Sequence, residues 1–254
     1  EEMIDDKCFG EAGNEVVIEE FLEGEEVSLL TFVDGKTIVP MLPVQDHKRI
    51  GEGDTGLNTG GMGTYAPTSV YTKEAQELVE KQIISPIKKV LGEDLCYCGC
   101  LYIGLMLTNA GPKVIEFNAR FGDPETEVLM PLLDSDLLDI IMKCVSGNLK
   151  DEDVKWKPQS AVCVIMASKG YPEEYENGFE IKGSEPIFQN DSWVFHGGTK
   201  VDEDGKLINF GGRVLAVSAI GDHFSSAKKT AYNRIKGISF ENAYYRTDIG
   251  YREE

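Results

Sequence analysis

Apolar and polar positions along this chain fall into short apolar, β-branched runs and into stretches with helical spacing. VVIEEFL at 16–22 and EVSLLTFV at 26–33 read as strands, separated by Glu23-Gly24-Glu25. Asp34-Gly35 is a tight-turn signal leading into a further strand at 37–42. Residues 44–68 are glycine-rich, polar and aperiodic, and read as a long functional loop. Apolar residues at 75, 78, 79, 83, 87, 90 and 91 follow helical spacing over 73–91, with Thr72 as cap and Gly92 as stop. Pro86 should kink or split this helix, Ser85 serving as a second cap, because proline lacks the N–H that the helix ladder needs. Strands at 98–107 and 112–118 form a hairpin over Thr108-Asn109-Ala110-Gly111. Asp123-Pro124 reads as a cap followed by proline at the first helical position, opening a helix to Leu133, and Ser135 caps another that runs to Gly147.

The charged, aperiodic segment LKDEDVKWKPQ (149–159) marks a domain boundary. A strand at 161–167, a turn around Gly170-Tyr171-Pro172 and a hairpin with arms 193–201 and 206–217 follow it, then a helix at 223–237. The pattern predicts an α+β fold. Residues 1–150 would form an antiparallel sheet with packed helices, and residues 151–254 a small mixed α/β domain.

Composition narrows the functional classes. The net charge is −19, from 25 basic and 44 acidic residues, which repels nucleic acid and anionic membranes. The one compact basic cluster, His47-Lys48-Arg49, suits a single nucleotide or phosphorylated metabolite. No apolar run reaches the ~20 residues that a membrane span needs. The Cys residues at 8, 96, 98, 100, 144 and 163 lack the density of a disulfide scaffold and imply a reducing, cytoplasmic compartment. Cys96, Cys98 and Cys100 alternate on one strand face, but without a fourth soft ligand nearby they read as packed thiols rather than a zinc site. The opening EEMIDDKCFGEAGNE carries no signal-peptide pattern and reads as the interior of a longer protein.

The densest chemistry lies in VIEFNARFGDPET (114–126). Glu116 and Asn118, two apart on a strand, put two oxygen donors on one face, and Arg120, Asp123 and Glu125 follow where the strand breaks. Oxygen donors beside a guanidinium and further carboxylates suit magnesium-bound phosphate chemistry, since Mg²⁺ takes few protein ligands and keeps sites for water and phosphate. Gly51-x-Gly53-x-x-Gly56 has the letters of a dinucleotide fingerprint but neither the preceding buried strand nor the following helix. The wider glycine-rich segment, with Asp46, Lys48 and Arg49 at its entry, Asn58 at its centre and Gly60-Gly61 beyond, reads instead as a binding loop whose backbone approaches a ligand closely. In EEFLEGEE (19–26) the hinge backbone could pair with an adenine edge, while a carboxylate accepts from ribose hydroxyls. Lys200 and Arg213, on opposite arms of the late hairpin, form a candidate phosphate clamp.

The blocks VVIEEFLEGEE, QDHKRIGEGDTGLNTGGMGTYAP, KVIEFNARFGDPE, FHGGTK and GGRVL, in this order, resemble the phosphoribosylamine–glycine ligase family, the ATP-grasp glycinamide ribonucleotide synthetases of purine biosynthesis. The resemblance covers essentially the whole chain. It implies an ATP-grasp module over 1–150, incomplete at its N-terminus, and the family's C-terminal domain over 151–254. The implied reaction joins glycine to 5-phosphoribosylamine, with ATP as co-substrate and Mg²⁺ or Mn²⁺ as metal, in the cytoplasm. Glu19, Glu20, Phe21 and Leu22 would line the adenine pocket, Glu26 would hold the ribose, and Arg49 and Asn58 would approach the phosphates. Glu116 and Asn118 would ligate the metal. Asp46, Lys48, Gly60, Gly61, Arg120, Asp123 and Glu125 would face the substrates, the last three as catalytic residues, and Lys200 with Arg213 would clamp the substrate phosphate. Many ATP-grasp proteins carry a further acidic ligand about twelve residues before the Glu, and that position here is Gly104. Family members also occur fused to, or associated with, other purine-pathway enzymes. The fragment by itself is expected to be inactive. Two alternatives stay open: another purine-pathway ATP-grasp ligase or carboxylase, and a non-catalytic nucleotide-binding or scaffolding module.

Overall fold

The structure is a computed structural model that describes residues 10–186 and 191–253. Two antiparallel sheets carry the fold. The first contains β1 (Glu25–Asp34) and β2 (Ile38–Pro40). The chain then crosses through four short strands, β3 (Gln45–Asp46), β4 (Arg49–Gly51), β5 (Thr55–Asn58) and β6 (Gly63–Ala66). Helices α1 (Lys73–Val79) and α2 (Ser85–Val90) lead into the hairpin β7 (Cys98–Thr108) and β8 (Gly111–Asn118). After them come α3 (Thr126–Leu132), α4 (Leu137–Ser146) and β9 (Ser160–Ser168). The remaining elements are β10 (Ser192–His196), β11 (Thr199–Val201), β12 (Leu207–Asn209), β13 (Arg213–Gly221), α5 (Phe224–Ile235) and β14 (Ala243–Tyr244).

The first sheet runs β2-β1-β7-β8 and the second β10-β13-β9-β6-β3, with β14 also on β9. Period-two patterning distributes their side chains among three apolar layers. Val27, Leu29 and Val33 of β1 and Leu101, Ile103 and Leu105 of β7 pack against Val79, Ile83 and Ile84 of the helical run. Leu30, Phe32, Cys100 and Tyr102 face the other way and meet α3, α4 and the inner side of β9. Val162, Val164 and Met166 of β9 face outward onto Ala227, Ala231 and Ile235 of α5. Strands covered on both faces explain why 26–33 and 161–167 read as near-continuous apolar runs.

Several expectations change. Residues 16–22 form no strand; Val17, Ile18 and Phe21 are exposed, and both edges of β1 are already taken by β2 and β7. A strand without a partner leaves its backbone unpaired, so an apolar, β-branched run alone does not make one. The expected loop at 44–68 contains β3 to β6. Of these, β3 and β6 join the second sheet, so that sheet draws strands from both sides of residue 150. Gly92 does not stop the helix. The helical run continues through wider turns at Glu80–Ile84 and Leu91–Leu95 and ends at Cys96 in the left-handed region. The first wide turn precedes Pro86, where the missing N–H and the ring's clash with the preceding turn are accommodated by local widening. Helix α3 starts at Thr126 rather than at Pro124: the Asp123 and Pro124 carbonyls accept from Arg213 and Thr64, and the Glu125 side chain is buried against Ser28 and Tyr102. Asp136, one residue after Ser135, caps α4 by accepting from Leu138 and Asp139.

Candidate functional site

One irregularity in the first sheet aims the predicted metal ligands. Gly104 pairs with Glu116, and Leu105 pairs with Val114, so Ile115 is an extra residue in β8. A bulge of this kind reverses which face the following residues occupy. Val114 packs toward the helices, whereas Glu116 and Asn118 turn to the opposite face. Cross-strand partners share a face, and the register runs Ser28–Gly104–Glu116 and Tyr102–Asn118. Glu116 and Asn118 therefore share a face with Glu26 and Ser28. The Asn118 amide donates to Glu116 Oε1 at 3.0 Å. A Cβ on Gly104 would lie 3.1 Å from Glu116 Cγ, so the glycine leaves room for that carboxylate. Two adjacent oxygen donors at an open strand end fit a hard cation. Among the described residues no group of three or more His, Cys, Asp or Glu side chains could hold a metal, so any ion here would complete its shell with ligand oxygens or water.

Beside this strand end opens a cleft of about 670 Å³, lined by Glu19, Glu20, Phe21, Leu22, Glu26, Asp46, Lys48, Arg49 and Asn58. Nine predicted residues thus converge there, although 19–22 do so as irregular chain. Arg49 and Asn58 are cross-strand partners in the β4–β5 ribbon and lie side by side. Lys48 is ion-paired with Glu26. Burial works against the Lys48 ammonium, but the Glu26 carboxylate outweighs it and raises its pKa.

The cleft continues toward the junction of the two sheets. Glu125 is buried there and accepts hydrogen bonds from Ser28 Oγ and the Tyr102 hydroxyl, both at 3.0 Å. Burial, then the neighbouring Glu125 charge, pushes the Asp46 carboxyl well above its usual range. Asp46 Oδ1 is buried without a hydrogen-bond partner. Gly61, at φ +116, lies beneath that carboxylate; a Cβ there would come within 2.8 Å of both Asp46 oxygens and 2.6 Å of Pro124 Cδ. Arg213 Nη1 donates to the carbonyls of Gly60 and Asp123, each at 2.8 Å, and pairs with the Asp123 carboxylate at 3.1 Å. Asp123 and Arg213 also line a second cleft of about 290 Å³, with Glu127, Tyr171, His196 and Gly197.

Two predicted residues stand apart. Lys200 lies on the β11–β12 ribbon, its Nζ 4.9 Å from the Phe210 ring centroid, and lines neither cleft. The glycine pairs 197–198 and 211–212 break the late hairpin, so Arg213 belongs to the large sheet while Lys200 belongs to a separate ribbon. The two cations therefore do not converge. Arg120 is exposed and donates to the Phe121 carbonyl at 2.9 Å, outside both clefts.

Other residues carry no local sequence signal and come to the site through tertiary contact. Lys113, Asp54 and Arg252 line the larger cleft. The segment from Tyr244 to Glu253 folds back onto the glycine-rich loop. Gly250 N–H donates to His47 Nε2 at 2.8 Å, which leaves the imidazole proton on Nδ1, facing Asp54 at 3.1 Å. Tyr171, read only as part of a turn, accepts from Gly60 N–H through its hydroxyl at 3.0 Å.

Glu127 likewise has no signal in the pattern. Its Oε2 is buried without a partner, and burial, reinforced by the Asp123 charge, raises its pKa from 4.5 to about 7. A raised folded-state pKa gives stability that is complete below the unfolded value of 4.5 and is lost as pH rises toward about 7. Glu127→Gln should therefore become more stable relative to the parent between pH 5 and pH 8. The expected gain is on the order of 1 kcal/mol, or about 2–4 °C in unfolding midpoint. Parallel pH profiles for the two proteins would contradict the assignment.

The description "Phosphoribosylglycinamide synthetase, ATP-grasp (A) domain" matches residues 1–126, and the same synthetase's C domain matches residues 161–252. The chain belongs to the phosphoribosylglycinamide synthetase family. It is 47% identical over 248 residues to a phosphoribosylamine–glycine ligase of Caldanaerobacter subterraneus subsp. tengcongensis, covering 97% of this chain and 59% of that protein. It is 48% identical over 253 residues to the trifunctional purine biosynthetic protein adenosine-3 of Bos taurus, covering 99% of this chain and 25% of that one. The crystal structure of a Thermotoga maritima phosphoribosylamine–glycine ligase superposes with a TM-score of 0.76 at 34% identity, covering 91% of this chain and 56% of that one. The chain thus spans somewhat over half the length of the monofunctional relatives, and family members include a multifunctional purine polypeptide. Among the described residues no helix is long and apolar enough to cross a membrane.

Proposed function

We propose that this chain forms the larger part of a cytoplasmic ATP-dependent ligase that joins the carboxyl group of glycine to the amine of 5-phosphoribosylamine. In this reading residues 1–150 belong to the ATP-grasp part and 151–254 to the C-terminal domain. The observation that carries it is the convergence of Glu26, Lys48, Arg49 and Asn58 in one cleft, with Glu116 and Asn118 on the same sheet face at its end.

The chain's own groups divide the work. The segment 19–22 offers main-chain groups to adenine, and Glu26 accepts from the ribose hydroxyls. Arg49 and Asn58 take phosphate oxygens, with Lys48 alongside. Glu116 and Asn118 would hold Mg²⁺ or Mn²⁺, which when bound neutralises phosphate charge. A glycine carboxylate oxygen attacks the γ-phosphorus and ADP leaves, giving glycyl phosphate. The amine of phosphoribosylamine then attacks the activated carbonyl carbon, phosphate departs and the nitrogen loses a proton. Asp46, Asp123 and Glu125 line the junction where these groups meet, Gly60 and Gly61 let them approach the backbone, and Arg213 supplies the cation for the substrate 5′-phosphate. Arg120, at the end of the metal-bearing strand, would reach the transferring group from solvent. Positioning and charge neutralisation suffice, and no general base is required.

The test is an ADP-release assay on the natural polypeptide that contains this chain. ADP should form only when ATP, Mg²⁺, glycine and phosphoribosylamine are all present. Release with another amino acid, or without phosphoribosylamine, at the same rate would reject the assignment.

A further inference from the structure

We propose that Arg252 is a nucleotide-binding residue that takes the phosphate next to the ribose, an inference that rests on the nucleotide reading of the larger cleft. Its position is built rather than incidental. Nη1 donates to Glu25 Oε2 at 2.9 Å, Nη2 to Asp54 Oδ2, and Nε to the Tyr251 hydroxyl at 3.3 Å. Glu25 opens β1 one residue before the cleft-lining Glu26, and Asp54 belongs to the loop that carries Arg49 and Asn58. The guanidinium is thus tied both to the start of β1 and to that loop, and it lines the cleft with Glu26, Arg49 and Asn58, where the first phosphate of a bound nucleotide would lie. A guanidinium has five N–H donors; three are engaged, and two are left for a ligand.

Its surroundings hold it there. The Asp54 carboxyl is acidified far below its usual range: burial opposes ionisation, but hydrogen bonds from His47, Arg246 and Tyr251 overcome it. Glu52 accepts from Thr247 N–H, and Tyr244 donates to the Ile50 carbonyl, so the segment bearing Arg252 is tied along the loop. The Arg252 side chain remains 31% exposed and lines the cleft. With Lys48, Arg49 and Lys113 it brings four cations to this cleft in a chain of net charge −19. A planar, pre-oriented guanidinium suits a phosphate better than a mobile ammonium does.

The proposal separates phosphate recognition from fold support, and equilibrium binding of ADP and of adenosine distinguishes them. The proteins compared are the natural polypeptide that contains this chain and its Arg252→Met and Arg252→Lys variants, all with Mg²⁺. In Arg252→Met, ADP affinity should fall about tenfold or more while adenosine affinity stays within about twofold, and Arg252→Lys should recover part of the loss. The proposal is overturned if ADP binding in Arg252→Met stays within about twofold of the parent. It is overturned equally if ADP and adenosine weaken together, since that marks a structural role. An unaltered protein that binds neither compound would instead refute the nucleotide reading of the cleft, and Arg252's role with it.

Discussion

Glu116→Ala, made in the natural polypeptide that contains this chain, is expected to lower ligation by about a thousandfold even at saturating Mg²⁺. A metal beside a transferring phosphoryl group supplies several kcal/mol of charge stabilisation, and each ~1.4 kcal/mol is tenfold in rate. The magnitude follows from how few donors the site has. Glu116 and Asn118 are the two oxygen ligands proposed for it, and Gly104, where a third acidic ligand would stand, contributes no side chain. The Ile115 bulge makes the prediction specific to position 116. An unbroken strand would put Glu116 on the helix-facing side with Val114, where a carboxylate would be buried among apolar groups. Removing the carboxylate should also abolish the Mg²⁺ dependence of ADP binding, a readout independent of turnover. Near-normal ligation, or an unchanged metal dependence, would place the ion elsewhere.

Much of this site is legible in the sequence because its residues sit where local pattern is strong. The β7–β8 hairpin is two apolar runs around a four-residue turn signal, and the two-residue spacing puts Glu116 and Asn118 on one face. Which face is not legible: the extra residue at 115 leaves no trace in an apolar run, since Val114 and Ile115 are interchangeable by pattern. The segment 44–68 fails for another reason. Strands of two to four residues are too short to show a period, and the pairing of β6 with β9, a hundred residues later, is a tertiary fact. The opposite error occurs at 16–22, where the apolar, β-branched composition is that of a strand but both edges of the adjoining β1 are taken by β2 and β7. Arg246 and Arg252 are invisible because YYRTDIGYREE has no spacing that announces chemistry. Their partners lie about two hundred residues earlier in the chain.

Arg246→Met should cost about 3–5 kcal/mol of folding stability, the range for removing one partner of a buried ionic network. That corresponds to about 6–20 °C in the unfolding midpoint. Arg246 is fully buried. Its Nη1 donates to the Arg49 carbonyl at 2.9 Å and to Asp54 at 2.7 Å, while Nε and Nη2 grip both oxygens of Asp248 at 2.8 and 2.7 Å. Methionine can fill much of the volume but satisfies none of these acceptors, and two part-buried carboxylates lose their cation. The loss should depend on pH with a definite sign. Burial opposes ionisation of Asp54 and Asp248, yet their hydrogen-bond partners, Arg246 among them, depress both pKa values below 3.8. Carboxylates depressed on folding contribute stability that is present above their unfolded value and lost as pH falls through that value toward the folded one. Parent and variant should therefore differ most near pH 7, and the difference should begin to shrink as pH falls below about 4. A difference that stays constant down to pH 3, or a midpoint shift under about 2 °C at neutral pH, would show that the network contributes little. Because the same carboxylate of Asp54 also holds Arg252 in the cleft, the variant should weaken ADP binding as well as the fold. The buried guanidinium thus links the stability of the glycine-rich loop to the occupancy of the site it borders.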